Sequence, residues 1–304
     1  MDNVLIAGGT GLIGKRLTEL LQQNGYSVTY LSRTIGKGNI ETFLWNPNEG
    51  LLDKDALLNA DYIINLAGAG VFDHRWTKEY KEEILASRVN GTHLLYEKLK
   101  EMRKMPKAFI NASAIGIYGA NTGEETITEE SPIGTDFLAE VTKQWEFATE
   151  YLKTIGIRTT RVRIGIVLSS QGGILEKLET TVKRGMGAAL GTGRQFISWI
   201  HIDDICRLFM KIMKDDNMDG TYNAVAPNPA TNEQLIKAMG EILHRPIILP
   251  SVPAFALKLM MGTEMAEYVL GGCKVSAAKV LSEGFTFAYP ELKPALANLY
   301  EAKT

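Results

Sequence analysis

Apolar positions along this chain follow two spacings in alternation. Runs of strand length and β-branched character stand at 4–7, 27–31, 62–66, 108–112, 161–167, 196–200 and 221–223. Between them, stretches around 77–103, 136–154 and 204–214 repeat apolar residues with a helical period. After the first run, Ile13, Leu17, Leu20 and Leu21 recur at helical spacing, and Gly25 sits where a left-handed C-terminal stop belongs. Strand and helix in alternation predict the α/β class, a doubly wound parallel sheet (Rossmann) covered by helices, with a smaller C-terminal lobe. Past residue 226 the pattern changes. Pro227, Pro229, Pro246, Pro250 and Pro253 mark turns before a Met-rich helix with Leu257, Met260, Met261 and Met265, expected to be gap-filling core. The predicted boundaries are 1–168 with 195–226 for a nucleotide-binding Rossmann domain, and 169–194 with 227–304 for a smaller substrate lobe.

The most informative motif lies between the first strand and the first helix. Gly8-Gly9-Thr10-Gly11-Leu12-Ile13-Gly14 allows a tight turn, close approach of backbone to a pyrophosphate, and close packing of helix on strand. At the end of the second strand an acid would hydrogen-bond the ribose hydroxyls of NAD and repel a 2′-phosphate. Tyr30-Leu31-Ser32-Arg33-Thr34 carries no acid, and Lys37 follows. A hydroxyl and a guanidinium at that point predict NADP(H); the alternative for Arg33 is a solvated surface side chain.

Composition narrows the class without naming a substrate. The 304 residues are 45% hydrophobic and 22% charged, and Lys+Arg 33 against Asp+Glu 35 give a net charge of -2, so no whole-surface basic field draws nucleic acid or membrane. Cys206 and Cys273 are too few for a disulfide framework, and His74, His93, His201 and His244 lack metal-ligand spacing. The start, Met1-Asp2-Asn3, shows no basic leader, and the apolar stretch at 249–262 is broken by Pro250, Ser251, Pro253 and Lys258. The expectation is a cytoplasmic protein with a small-molecule substrate and no metal, nucleic-acid or membrane partner.

Further motifs carry a resemblance. Asn65-Leu66-Ala67-Gly68 follows the third strand, Ser87-Arg88-Val89-Asn90-Gly91-Thr92 lies in a helix, Ser113-Ala114-Ile115-Gly116-Ile117-Tyr118-Gly119 ends the fourth strand, and Trp199-Ile200-His201-Ile202-Asp203-Asp204 comes later. With the glycine turn, these make the chain similar to the NAD-dependent epimerase/dehydratase family of the extended short-chain dehydrogenase/reductases. The ending, with Gly284-Phe285-Thr286-Phe287 and Tyr289-Pro290-Glu291-Leu292, resembles the C-terminal segment of its YfcH-like branch. From the residues, with the resemblance supplying the 66–68 wall, the expected cofactor contacts are Gly8, Thr10, Gly11, Leu12, Ile13, Gly14, Ser32, Arg33, Leu66, Ala67, Gly68, Glu83 and Arg88. The resemblance also implies a possible homodimer through two helices.

Family catalysis relies on a Tyr that exchanges a proton, a Lys four residues later that binds ribose, and a Ser that orients substrate. Here Lys143 takes the lysine's place, and Ala139 stands where the tyrosine belongs. Tyr96 and Lys100 have the right spacing but precede the strand that should come first, and read as a solvated helix face. Ser113 matches the first serine of its motif and Ala114 the second, usually catalytic one. The catalytic candidates are Tyr118, whose alternative is packing under the cofactor loop, Lys143, whose alternative is an exposed helical lysine without a role, and Ser113. Glu83, Ser87 and Asn90 share one helical face, with Arg88 beside it where it could reach a phosphate; the alternative, favoured for Glu83, is ordinary helix-surface charge. Gly185-Met186-Gly187 to Arg194 reads either as a substrate contact or as a lobe connection, and Asp203 as the cap of a helix starting at Asp204. Two functions remain open: an NADP(H)-dependent oxidoreductase or epimerase with an atypical site, or a non-catalytic NADP(H) sensor or partner-binding module. Sugar-nucleotide epimerisation with tightly held NAD is disfavoured by Ser32-Arg33. The crevice between sheet and C-terminal lobe is the expected substrate site.

Overall fold

Residues 1–35 and 38–301 are described by a computed structural model; Lys37 lies outside the described residues. The chain begins β1 (Asn3–Ala7), α1 (Leu12–Gln23), β2 (Ser27–Ser32), β3 (Thr42–Asn46), β4 (Leu51–Leu52), α2 (Asp55–Leu58), β5 (Tyr62–Asn65), α3 (Lys78–Lys100) and β6 (Ala108–Ala114). It continues β7 (Thr126–Ile127), α4 (Phe137–Thr154), β8 (Thr159–Ile164), β9 (Ile166–Leu168), α5 (Ile174–Lys183), β10 (Phe196–Ile197), β11 (Trp199–His201), α6 (Ile202–Lys214) and β12 (Gly220–Ala224). The last part holds β13 (Ala230–Thr231), α7 (Asn232–Ile242), α8 (Ala254–Met261), α9 (Thr263–Leu270), β14 (Lys274–Val275), α10 (Ala278–Ser282) and α11 (Leu292–Glu301).

Two compact units result: Met1–Ala114 with Glu140–Arg163 and Cys206–Tyr222, and Ile115–Ala139 with Ile164–Ile205 and Asn223–Thr304. Among the described residues, the main sheet has the order β12-β8-β6-β5-β1-β2-β3-β4. The contiguous pairs from β6 through β5, β1 and β2 to β3 are all parallel, and β4 closes that edge as an antiparallel partner of β3. Every residue of β1 is buried, as expected for a central parallel strand covered on both faces. Over one face, Leu57, Leu95, Leu99 and Leu152 from α2, α3 and α4 cluster with Leu5, Ile63 and Phe109 of the sheet. Order reverses between β1 and β5, the crevice where such sheets bind nucleotides. In α1, Leu17 and Leu21 are buried, and the helix stops at Gly25 (φ 80°), where Tyr26 N–H reaches the Leu21 carbonyl. No helix of the described residues is long and apolar enough to cross a membrane.

The structure departs from the expected elements at several points. The run 161–167 divides at Gly165, where a Cβ would stand 2.5 Å from the Ser198 carbonyl. β8 stays in the main sheet, whereas β9 pairs in parallel with β11. The run 196–200 divides likewise, because Ile197 pairs with Ala230 and Trp199 with Ile166. Helix α6 starts at Ile202, so Asp203 and Asp204 lie in its first turn and Asp203 is not the residue before a helix beginning at Asp204. The Met-rich helix is broken by Gly262 (φ 91°) into α8 and α9, which resets the helical phase. Leu257 and Met265 are buried as expected of core, but Met260 is 66% exposed, as are most of Phe255 and Leu259.

Candidate dinucleotide site

The glycine turn closes by internal contacts that leave no room for side chains. Gly8 takes φ 82°, and a Cβ there would lie 2.9 Å from the Leu66 carbonyl carbon and oxygen. A Cβ on Gly9 would enter the Tyr30 ring at 2.2 Å, and one on Gly14 would stand 2.5 Å from the Gly8 carbonyl oxygen. Gly11 N–H closes the turn on Gly8 O at 3.0 Å. The turn is thereby clamped between β2 and β5, with α1 rising from it. Tyr30 shares its hydroxyl hydrogen bond with Thr18 Oγ1 (2.7 Å), and burial pushes its phenol pKa up. Gly11 precedes α1 without capping it by a side chain, and no acid stands in the first turn. Amide donors and positive dipole end therefore meet no negative charge from the helix itself, which suits an anionic group.

At the end of β2, Ser32 is half-buried and accepts from Thr34 N–H at 3.3 Å, while Arg33 is exposed. At the end of β5, Asn65 is buried and donates to Thr92 Oγ1 (3.1 Å) and to Asn111 Oδ1 (2.8 Å), and its own Oδ1 accepts from Ala67 N–H (3.3 Å). This ties the Leu66-Ala67-Gly68 turn to α3 and β6. Ser87 adds a second tie, since its Oγ accepts from Ala69 N–H at 3.0 Å. Beside the turn, the Arg88 guanidinium lies 5.3 Å from the Trp145 ring centre, and burial takes its pKa down to about 10 against a small opposing effect of Tyr80. Glu83 and Asn90 are exposed on α3.

The catalytic candidates occupy three different settings. Ser113 is buried at the end of β6 and donates to Glu146 Oε1 at 2.5 Å. Glu146 also pairs with Arg163 through two bonds, Nε to Oε1 at 2.8 Å and Nη2 to Oε2 at 2.9 Å. Lys143 is exposed on α4 and lies 3.7 Å from Glu140. Tyr118, in the second unit, is buried and donates to Asn223 Oδ1 at 2.7 Å. Ala139 is fully buried, and its N–H donates to Asp136 Oδ1 at 3.0 Å. Arg194 is exposed, with its N–H on Thr192 Oγ1 at 3.3 Å. Asp204 is fully buried and accepts the N–H groups of Ala288 (2.8 Å) and Tyr289 (2.9 Å).

The first unit thus gathers the glycine turn, Ser32, Arg33, the 66–68 turn, Arg88, Ser113 and Lys143. Sequence reasoning passed over Glu146 and Trp145. Their signal was present: Leu138, Ala139, Val141, Thr142, Trp145, Ala148 and Thr149 form the buried face of α4, and Glu146 puts a charge on it.

A glycine turn at the reversal of a doubly wound parallel sheet defines a dinucleotide-binding protein of the Rossmann class. The chain belongs to the NAD dependent epimerase/dehydratase family, whose model matches residues 4–224; residues 252–299 match a domain of unknown function, DUF1731. It is 35% identical over 300 residues to the epimerase family protein YfhF of Bacillus subtilis, covering 98% of this chain and 97% of that protein. Among solved structures, the human epimerase family protein SDR39U1 with NADPH superposes with a TM-score of 0.88 at 30% identity, covering 98% of this chain and 99% of that one. A nucleoside-diphosphate sugar epimerase from Corynebacterium glutamicum gives 0.80 at 34% identity, with 99% of this chain but 58% of that one covered.

Proposed function

We propose that this chain is a cytoplasmic NADP(H)-binding protein that works as an oxidoreductase or epimerase on a small molecule, with an active site departing from the tyrosine-based plan of its family. One observation carries the choice of cofactor: β2 runs into Ser32 and Arg33, and the described residues after it, Thr34 and Ile35, bring no acid. The NADPH held by the human relative supports the same choice. When bound, the nicotinamide supplies or accepts a hydride. The residues of the chain have separate tasks in this reading. The turn with Gly8, Thr10, Gly11, Leu12, Ile13 and Gly14 takes the pyrophosphate, Ser32 and Arg33 take the 2′-phosphate, and Leu66, Ala67 and Gly68 wall the adenine. Lys143 is the assigned ribose or proton group because its ammonium is exposed, and Tyr118 is the assigned phenol.

The assignment of Arg33 is tested by titrating NADPH and NADH into the Arg33→Ala variant. One charge-assisted contact is worth about 1.5–3 kcal/mol, so NADPH should weaken about tenfold to a hundredfold with NADH little changed. Equal losses for both would sink the assignment.

A second reading, a non-catalytic NADP(H) sensor, is favoured by one observation: the buried methyl of Ala139 stands where the family plan puts its proton donor. Following reduced-nicotinamide absorbance after adding a small-metabolite extract to the NADPH-loaded protein separates the two. A protein-dependent loss that Lys143→Ala or Tyr118→Phe abolishes, with NADPH still bound, supports the enzyme. Hydrogen exchange that differs between the NADP+ and NADPH states, without turnover, supports the sensor.

A further inference from the structure

Arg88 and Trp145 share an unusual electrostatic condition. Among the described residues, the Arg88 guanidinium has one hydrogen bond, from Nη1 to the Ile84 carbonyl at 2.9 Å, and no carboxylate partner. A guanidinium carries five N–H donors, and that of the half-buried Arg88 would ordinarily be paired. Burial has already lowered its pKa to about 10, and the one charged or titratable neighbour that acts on it is the Tyr80 phenol. Trp145, 5% exposed, lies under this cation with its ring centre 5.3 Å away. Its indole Nε1–H is buried and has no hydrogen-bond acceptor among the described residues. Buried donors without acceptors are rare in folded proteins. Here a guanidinium with one carbonyl acceptor and no carboxylate lies over an indole N–H with no acceptor among the described residues.

Position ties the pair to the nucleotide turn. A Cβ on Gly68 would stand 3.0 Å from Arg88 Cζ, so the guanidinium lies against the backbone of that residue. Two residues earlier, the Leu66 carbonyl lies against Gly8. Trp145 on α4, Gly68 after β5 and Arg88 on α3 therefore converge beside the turn where β1 and β5 diverge.

We propose that Arg88 and Trp145 form an anion seat beside the 66–68 turn, which takes a phosphate or carboxylate oxygen between the guanidinium and the indole N–H. The anion comes from the pyrophosphate of the dinucleotide or from a separate anionic small molecule. Only the first source rests on the nucleotide reading given above. Cation–π contact with Trp145 holds the guanidinium plane while its free N–H groups face the anion.

The test uses the full-length chain, with NADPH, NADH, inorganic phosphate, pyrophosphate and acetate as probes, read by calorimetry and tryptophan fluorescence. If the dinucleotide fills the seat, Arg88→Gln weakens NADPH and NADH by the same factor, about tenfold to a hundredfold, and leaves their ratio unchanged. That equality separates it from Arg33, whose loss changes the ratio. If a separate anion fills it, Arg88→Gln leaves both dinucleotides at wild-type affinity and abolishes phosphate or acetate binding to the NADPH-loaded protein. Trp145→Phe keeps the ring and removes the N–H, and Arg88→Lys keeps the charge and removes the fork; each should weaken the same probe. Wild-type affinity for all five probes in Arg88→Gln, or in both conservative variants should Arg88→Gln fail to fold, overturns the proposal. Should NADPH not bind the native chain at all, the nucleotide reading fails, while Arg88-dependent phosphate binding still upholds the seat.

Discussion

Ser113 Oγ and Glu146 Oε1 are 2.5 Å apart, and the same carboxylate is clamped from the other side by Arg163. The serine that sequence motifs place at the mouth of β6 thus donates its hydrogen bond to a buried ion pair. Charge-assisted hydrogen bonds of this length are among the stronger ones in proteins, so the β6 end, α4 and β8 are locked together there. Removing one partner of a buried pair costs about 3–5 kcal/mol because the other charge is left without compensation. Glu146→Gln should lose about that much in urea unfolding, and Ser113→Ala about 1–3 kcal/mol. The double variant Glu146→Leu with Arg163→Met should lose less than the sum of its singles. Additive losses would show that the two charges are not coupled.

Gly14→Ala places a methyl 2.5 Å from the Gly8 carbonyl oxygen and 2.6 Å from Gly9 Cα, and backbone cannot yield without opening the turn. Overpacking of this kind costs about 1–3 kcal/mol, and NADPH affinity should fall more than tenfold with it. Gly25→Ala is the matched control: nothing lies within 4 Å of its Cβ, but its φ is 80°. It should cost about 1–2 kcal/mol and leave nucleotide affinity intact. Similar affinity losses in the two variants would mean that the turn itself is not the anion cradle.

Asp204 holds the backbone at Ala288 and Tyr289 with two N–H bonds to opposite oxygens of one carboxylate. An amide offers one oxygen and brings two unwanted donors, so Asp204→Asn should destabilise by about 1.5–3 kcal/mol. Because the bonds fix the approach to α11, limited proteolysis should cut before residue 292 faster than in the native protein. Unchanged cutting would place the stabilising role elsewhere.

Asp61 supplies a pH signature. Its carboxylate accepts the Asn3 N–H at 2.9 Å, and this bond, helped by Lys104 at 3.3 Å, holds its pKa below the ordinary aspartate value. A depressed folded-state pKa means stability that is fully present above the unfolded value and is lost as pH falls through the folded one. Urea midpoints should therefore drop more steeply between about pH 5 and 2 in the native protein than in Asp61→Asn. Parallel curves would exclude Asp61 from the acid limb.

Much of the sheet was legible because its signal is local. β1, β2, β5 and β6 are apolar runs at strand spacing, and the glycine turn sits between a strand and a helix in the order the chain itself gives. β3 and β4 left little trace, since only Trp45 of β3 is buried and an edge hairpin has no continuous apolar face. The breaks at Gly165 and Ser198 depend on pairing with distant strands, which spacing along the chain does not encode. In the site, single residues were legible but their partners were not. Ser113 could be found by motif, whereas its commitment to Glu146 depends on how α4 rotates against β6. Arg88 was placed near a phosphate, but the indole beneath it comes from 57 positions further along the chain.

Residues 252–299 are woven into the second unit rather than appended to it. β14 lies parallel to β7, with Lys274 opposite Thr126 and Val275 opposite Ile127, and Ser198 bridges the Cys273 carbonyl and the Val275 N–H. The segment matched at 252–299 and the 126–127 strand inside the 4–224 match are therefore packed as one piece of the second unit. Removing the last fifty residues would expose the edge of β7 and take away the two N–H groups of Ala288 and Tyr289 that Asp204 accepts. Chimeras between relatives should fold stably only when the 126–127 strand travels with the C-terminal segment.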